Sequence, residues 1–143
     1  MIKAISPDQT FEYVCENDRE SEQPTKWVLG VIDGRVRQYI NDRAVVVVEN
    51  GKPDEASGHT LRTGTWQRLI VKFGLRGWVN FLDADGKPMA DSFDHLPIGS
   101  KSYAVVPDRV LDVMPFTVLS ELATQLSKQN TLQEHDKRPF GSS

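Results

Sequence analysis

The chain has 143 residues, 38% of them hydrophobic and 26% charged, which is the size and composition of one globular domain with a single core. Its 17 basic and 20 acidic side chains give a net charge of -3, so binding dominated by nucleic-acid phosphates is not expected. No apolar run approaches the roughly 20 residues a membrane helix needs, the opening Met1 to Pro7 lacks a signal-peptide core, and the single cysteine, Cys15, excludes an internal disulfide.

The first predicted element is a strand over Thr10 to Glu16, where side-chain character alternates after the turn-forming Ser6-Pro7-Asp8. A second strand over Lys26 to Ile32 follows a polar connection and pairs with the first as a hairpin. Val36, Tyr39 and Ile40 then fall on one helical face, with Asp33 in position to cap the helix. The β-branched run from Ala44 to Glu49 reads as a strand ending at Asn50-Gly51, a strong turn signal, and His59 to Arg62 reads as its return strand.

Trp66, Leu69, Ile70 and Phe73 are spaced three or four apart, which predicts a central core helix over Thr65 to Arg76 ending near Gly74 and Gly77. Trp78 to Leu82 reads as an extended piece entering a tight turn at Asp83 to Pro88. Asp91 to Ser102 reads as loop, and a short strand is expected at Tyr103 to Val106. Pro115 suits the first turn of the last helix, which runs to residue 129 and whose stripe is Val118, Leu119, Leu122, Ala123 and Leu126. The segment from Asn130 to Ser143 has no periodicity and reads as a polar C-terminal tail. The fold class is α+β: one domain over residues 1–129, with a small, mostly antiparallel sheet from the first four strands packed against two main helices, and a tail over 130–143.

Chemistry-bearing patterns are sparse. Asp83 and Asp85 have the spacing of opening calcium ligands, but Lys87 and Pro88 stand where the third ligand and the required glycine belong, so a plain turn is expected. His59, His95 and His135 lie far apart and have no helical metal-site partners. Cys15 lies on a half-apolar strand, where a small buried hydrophobe is expected rather than a nucleophile. No catalytic residue, cofactor site or metal site is therefore expected. Two surfaces remain for partners. One is the tail, where Phe140 is an isolated aromatic anchor beside Arg138 and Lys137. The other belongs to a rival reading in which the aromatics from Trp66 to Phe81 bind nucleic acid or a small ligand.

Three features in combination carry a resemblance. They are the opening Ile5 to Val14 with Asp18-Arg19-Glu20, the segment Phe73-Gly74-Leu75-Arg76-Gly77-Trp78-Val79-Asn80-Phe81 running on to Asp83-Ala84-Asp85-Gly86, and Leu111-Asp112-Val113-Met114-Pro115 leading into Leu119-Ser120-Glu121-Leu122. In these the chain resembles small late-gene proteins of tailed bacteriophages, of the tail-assembly-chaperone type. The valine run Val45 to Val48 and the connection Asp91 to Ser102 depart from that pattern and suit a virion component. The resemblance implies a non-enzymatic protein that acts in the host cytoplasm during assembly or sits in the virion. Its partners would be tail, connector or capsid proteins, and homo-oligomer formation is compatible with either role.

Overall fold

The computed structural model describes residues 1–48 and 58–135. The strands are β1 (Thr10–Tyr13), β2 (Lys26–Gly30), β3 (Val45–Val48), β4 (Gly58–Leu61), β5 (Leu75–Val79), β6 (Asp94–Ile98) and β7 (Lys101–Val105). The helices are α1 (Gly34–Ala44), α2 (Thr63–Gly74), α3 (Asp108–Leu111) and α4 (Phe116–His135). The fold is α+β, with every strand pair antiparallel. None of the helices among the described residues is long and apolar enough to cross a membrane.

Among the described residues, the expected four-stranded sheet is replaced by three small ones: β1-β2-β5, the β3-β4 pair and the β6-β7 pair. The cause lies at Gly74. α2 stops there rather than at Arg76, and Leu75 turns at once to extended backbone and is fully buried as the first residue of β5. β5, which was not among the four expected sheet strands, pairs with β2 on the side opposite β1, and the valine strand is not in that sheet. β3 and β4 pair as expected, Val45 opposite Leu61, and the Asn50-Gly51 turn between them lies outside the described residues.

Within the predicted loop from Asp91 to Ser102, residues 91–93 are loop, but Asp94–Ile98 is a strand that forms a hairpin with Lys101–Val105, which begins two residues before the strand expected at Tyr103 to Val106. Leu96 pairs with Tyr103 and Ile98 with Lys101 across a two-residue turn, in which Gly99 has φ +62 and Ser100 does not have a positive φ. Glycine at the first central position is what a type II′ turn requires. Pro97 masks this strand in the sequence, yet it lies opposite Ser102, one step from the bonded pair at the turn. There a missing N–H costs no ladder bond.

The helices form as their spacing predicts. Asp33 caps α1, its Oδ1 accepting from the Val36 N–H at 2.9 Å, and Val36, Ile40 and Ala44 face the core. On α4, Leu122, Ala123 and Leu126 are fully buried. α4 lies against α2, where Gly74 allows the closest approach: a Cβ there would stand 2.6 Å from Leu126 Cδ2. Tyrosine and phenylalanine rings complete the layer beneath, with Phe73 edge-on to Tyr39 and Tyr103 at centroid separations of 5.4 and 6.1 Å.

α4 also continues past the expected boundary at residue 129, to His135. Asn130, read from the sequence as the first residue of a polar tail, is 3% exposed. Its Oδ1 accepts from the Ile32 N–H at 2.6 Å, and its Nδ2 donates to the carbonyls of Leu126 at 2.8 Å and Gly30 at 3.3 Å. A polar side chain is stable there because it satisfies backbone groups that the end of β2 leaves unpaired inside the protein.

Two substitutions check this packing. Leu122→Ala should lower the unfolding free energy by about 2–5 kcal/mol through lost transfer energy and a residual cavity. Asn130→Ala should cost about 1–3 kcal/mol, because the buried Ile32 N–H loses its acceptor, while Thr131→Ala on the exposed neighbour should change little. Chemical denaturation of the three variants provides the measurement.

Candidate functional site

Three chain segments converge around Glu121: the connection from β1 to β2, the exit of β5, and the first turns of α4. Between them lies an open cleft of about 520 Å³, whose walls include Trp27, Phe81, Leu82, Pro115 and Val118 and whose charged groups are Asp18 and Glu121. The geometry follows from how the long β1–β2 connection is fastened. β1 stops at Tyr13 rather than Glu16, so Cys15 lies beyond the strand, where it leads a 3-10 turn over Glu16–Asp18. Glu121 Oε2 accepts from the Tyr13 hydroxyl at 2.6 Å and from the Glu16 N–H at 2.9 Å.

The other end of the connection is held by Asp18, whose Oδ2 accepts from the Thr25 N–H at 2.7 Å. Thr25 Oγ1 in turn donates to the Asn80 carbonyl at 2.8 Å, and Asn80 Nδ2 donates to the Pro24 carbonyl at 3.4 Å. Asn80 has φ +62, the left-handed conformation that asparagine tolerates better than most residues, and this turns the chain out of β5 into the cleft wall. Aromatic stacking stiffens that wall. Trp27 lies 4.8 Å from Phe81, Phe81 lies 5.7 Å from Trp78, and Trp78 lies 5.4 Å from Phe93, while the Trp78 indole N–H donates to the Met89 carbonyl.

Protonation around Glu121 is fixed by the same contacts. Burial, then the charge of Glu121, pushes the Cys15 thiol up to about 11. Burial and the bond to Glu121 push the Tyr13 phenol up to about 12. Burial alone would raise Glu121, but the bonds from Tyr13, the Glu16 N–H and Cys15 outweigh it and hold the carboxyl below its ordinary 4.5. At neutral pH the group is one carboxylate carrying protonated donors. It offers fixed negative charge beside an apolar wall and no thiolate nucleophile.

The residues singled out in the sequence do not come together. Phe73 is in the core at 2% exposure, Trp66 is half-buried on α2, and Trp78 and Phe81 belong to the stacked wall, so the Trp66–Phe81 segment forms no continuous binding face. Phe140, Arg138 and Lys137 lie outside the described residues. The turn at Asp83 forms as read, its Oδ1 accepting from the N–H groups of Asp85 and Lys87. Among the described residues, no three His, Cys, Asp or Glu side chains are grouped to hold a metal.

Two residues central to the cleft escape sequence reading. Glu121 looks like any solvent-facing helix position beside the Leu122 stripe. Asn80 carries only a weak signal, asparagine's tolerance of positive φ at the end of a strand.

The sign of the pH dependence follows from these shifts. The raised thiol pKa contributes stability that is intact below pH 9.0 and lost as pH rises through about 11, whereas the lowered Glu121 pKa contributes stability present above 4.5 and lost as pH falls. Alkylation of Cys15 in the folded protein should therefore show a midpoint near 11. Glu121→Gln, which removes the neighbouring charge, should move that midpoint down. An unshifted profile would show that Glu121 does not control the thiol. No protein-family model matches this chain, and neither a curated protein nor a solved structure matches it.

Proposed function

We propose that the chain is a late protein of a tailed bacteriophage that acts in virion assembly, or as a minor structural subunit, by binding other proteins and catalysing no reaction. Its partners in this reading are tail, connector or capsid components, met in the host cytoplasm and retained in the particle if it is a subunit. The observation that carries the protein-binding part is the cleft and its rim. Leu82 is 54% exposed on the cleft wall, and Val113 and Phe116 are 63% and 72% exposed on either side of the cleft residue Pro115. A large apolar side chain left exposed on a cleft wall, beside Trp27, Phe81 and Val118, marks a contact surface.

The protonation pattern supports the non-enzymatic part. Groups that transfer protons or attack substrates are tuned toward the operating pH. Here the thiol and phenol are pushed away from it upward and the carboxylate downward. The phage part rests on the resemblance in the Ile5–Val14, Phe73–Gly86 and Leu111–Leu122 segments.

Mass spectrometry of purified particles, together with affinity capture from infected cells, tests the reading. The expected result is either a fixed number of copies per particle or capture with tail, connector or capsid proteins. Absence from the particles together with capture of none of these would overturn it.

A further inference from the structure

The cleft is acidic as well as apolar. Asp18 and Glu121 line it, with no lysine, arginine or histidine among the described residues of its walls. The connection above it adds Glu16, Glu20 and Glu22 against Arg19 alone, and Arg19 is engaged, donating to the Val14 carbonyl at 3.2 Å and lying 5.8 Å from the Tyr13 ring centre. A ligand suited to this surface carries positive charge next to an aromatic or aliphatic group. The chain contains such a segment directly after α4: Lys137-Arg138-Pro139-Phe140.

Reach decides which copy can supply it. α4 starts at the cleft and leads away from it. From Glu121 to His135 the helix rises about 21 Å, at 1.5 Å per residue. To Val118, which the Phe140 ring would have to reach, the rise is about 26 Å, while from His135 back to Phe140 a fully extended chain spans at most about 18 Å, with no residues spent on reversing direction. Phe140 therefore falls short of the cleft of its own chain, and Arg138 and Lys137 fall shorter still.

We propose that this cleft receives the Lys137–Phe140 segment of a second copy of the chain, with the Phe140 ring against Phe81, Leu82 and Val118 and the basic side chains toward Asp18 and Glu121. The inference deepens the protein-binding reading above and rests on it. Because the cleft is at one end of α4 and the segment at the other, the contact is head-to-tail. A pair formed this way keeps one free cleft and one free segment, so the contact repeats into a ring or an open filament.

The test uses the full chain and two variants. R138E/F140A spoils the segment and leaves the cleft, while L82K adds a repelling charge at an exposed cleft position and leaves the segment. Sedimentation velocity should show concentration-dependent association of the wild type. Each variant alone should associate about 30-fold more weakly, the effect of losing one strong interface anchor. An equimolar mixture should regain association but stop at the dimer, since only one competent cleft and segment remain. Matching thermal transitions for all three proteins establish that each is folded.

A wild type that stays monomeric, variants that associate like the wild type, or a mixture that gains nothing would each overturn the proposal. Its failure is separable from failure of the functional reading. A monomer that still captures tail, connector or capsid proteins leaves that reading intact, and a self-associating chain missing from particles and captures leaves only the present inference.

Discussion

The position of α4 is the constraint on which the rest of the structure depends, and Asn130 sets it. β2 ends at Gly30, and the chain then passes through the core to Ile32 before α1 begins, which leaves a carbonyl and an N–H facing protein rather than water. One side chain must accept from one and donate to the other at a single spot. The amide of asparagine does both. A hydrophobic residue would leave both backbone groups unpaired, and a carboxylate would bring an unpaired charge into the core. With Asn130 seated, the i−4 residue Leu126 falls over Gly74, where only the absence of a Cβ permits the contact. The first turns of α4 then stand beside the β1–β2 connection.

The cleft inherits its shape from this arrangement. Glu121 is carried on a helix fastened at its far end, so the bonds it accepts from Tyr13 and Glu16 position the connection rather than the reverse. The exposed ion pairs elsewhere are a weaker kind of restraint. Arg68 with Asp108 and Asp112, and Lys72 with Asp108, link α2 to the region of α3, but Asp108 and Asp112 are largely solvated and such pairs contribute little. A pocket supported by a buried amide and a partly buried carboxylate keeps its shape without a ligand, which reduces the entropy lost when something binds.

Elements with a single dominant period were legible in the sequence. The stripes that bury Ile70 and Phe73 on α2 and Leu122 and Leu126 on α4 are local patterns, and so is the Asp33 cap. What was not legible depends on distant partners. Asn130 looks polar and terminal until the end of β2 is placed beside it. Pro97 looks like a strand breaker until Ser102 is known to lie opposite it. Leu75 continues the helical pattern of α2, and only pairing with β2 makes it the start of a strand. The candidate site was less legible than the fold for the same reason. Its parts come from near residues 13–25, 80–82 and 115–121, each unremarkable alone, and Cys15 was readable only as far as its burial.

The three small sheets of the described residues leave several strand edges, and for the protein binding proposed above these suit a partner less well than the cleft does. The edges at β1, β5, β6 and β7 are each protected. β1 is four residues long, too short to template much of a ladder. β6 carries Pro97, whose missing N–H and rigid ring obstruct an added strand. β5 runs directly into the left-handed turn at Asn80, and beyond β7 the Val106 N–H is already bonded to the Lys72 carbonyl on α2. Main-chain addition is discouraged at each of these places, whereas Leu82 offers exposed apolar surface in a cleft that also carries Asp18 and Glu121. Recognition by side chains is the mode this surface favours, and side-chain recognition discriminates among partners in a way that a bare strand edge, open to almost any extended chain, does not.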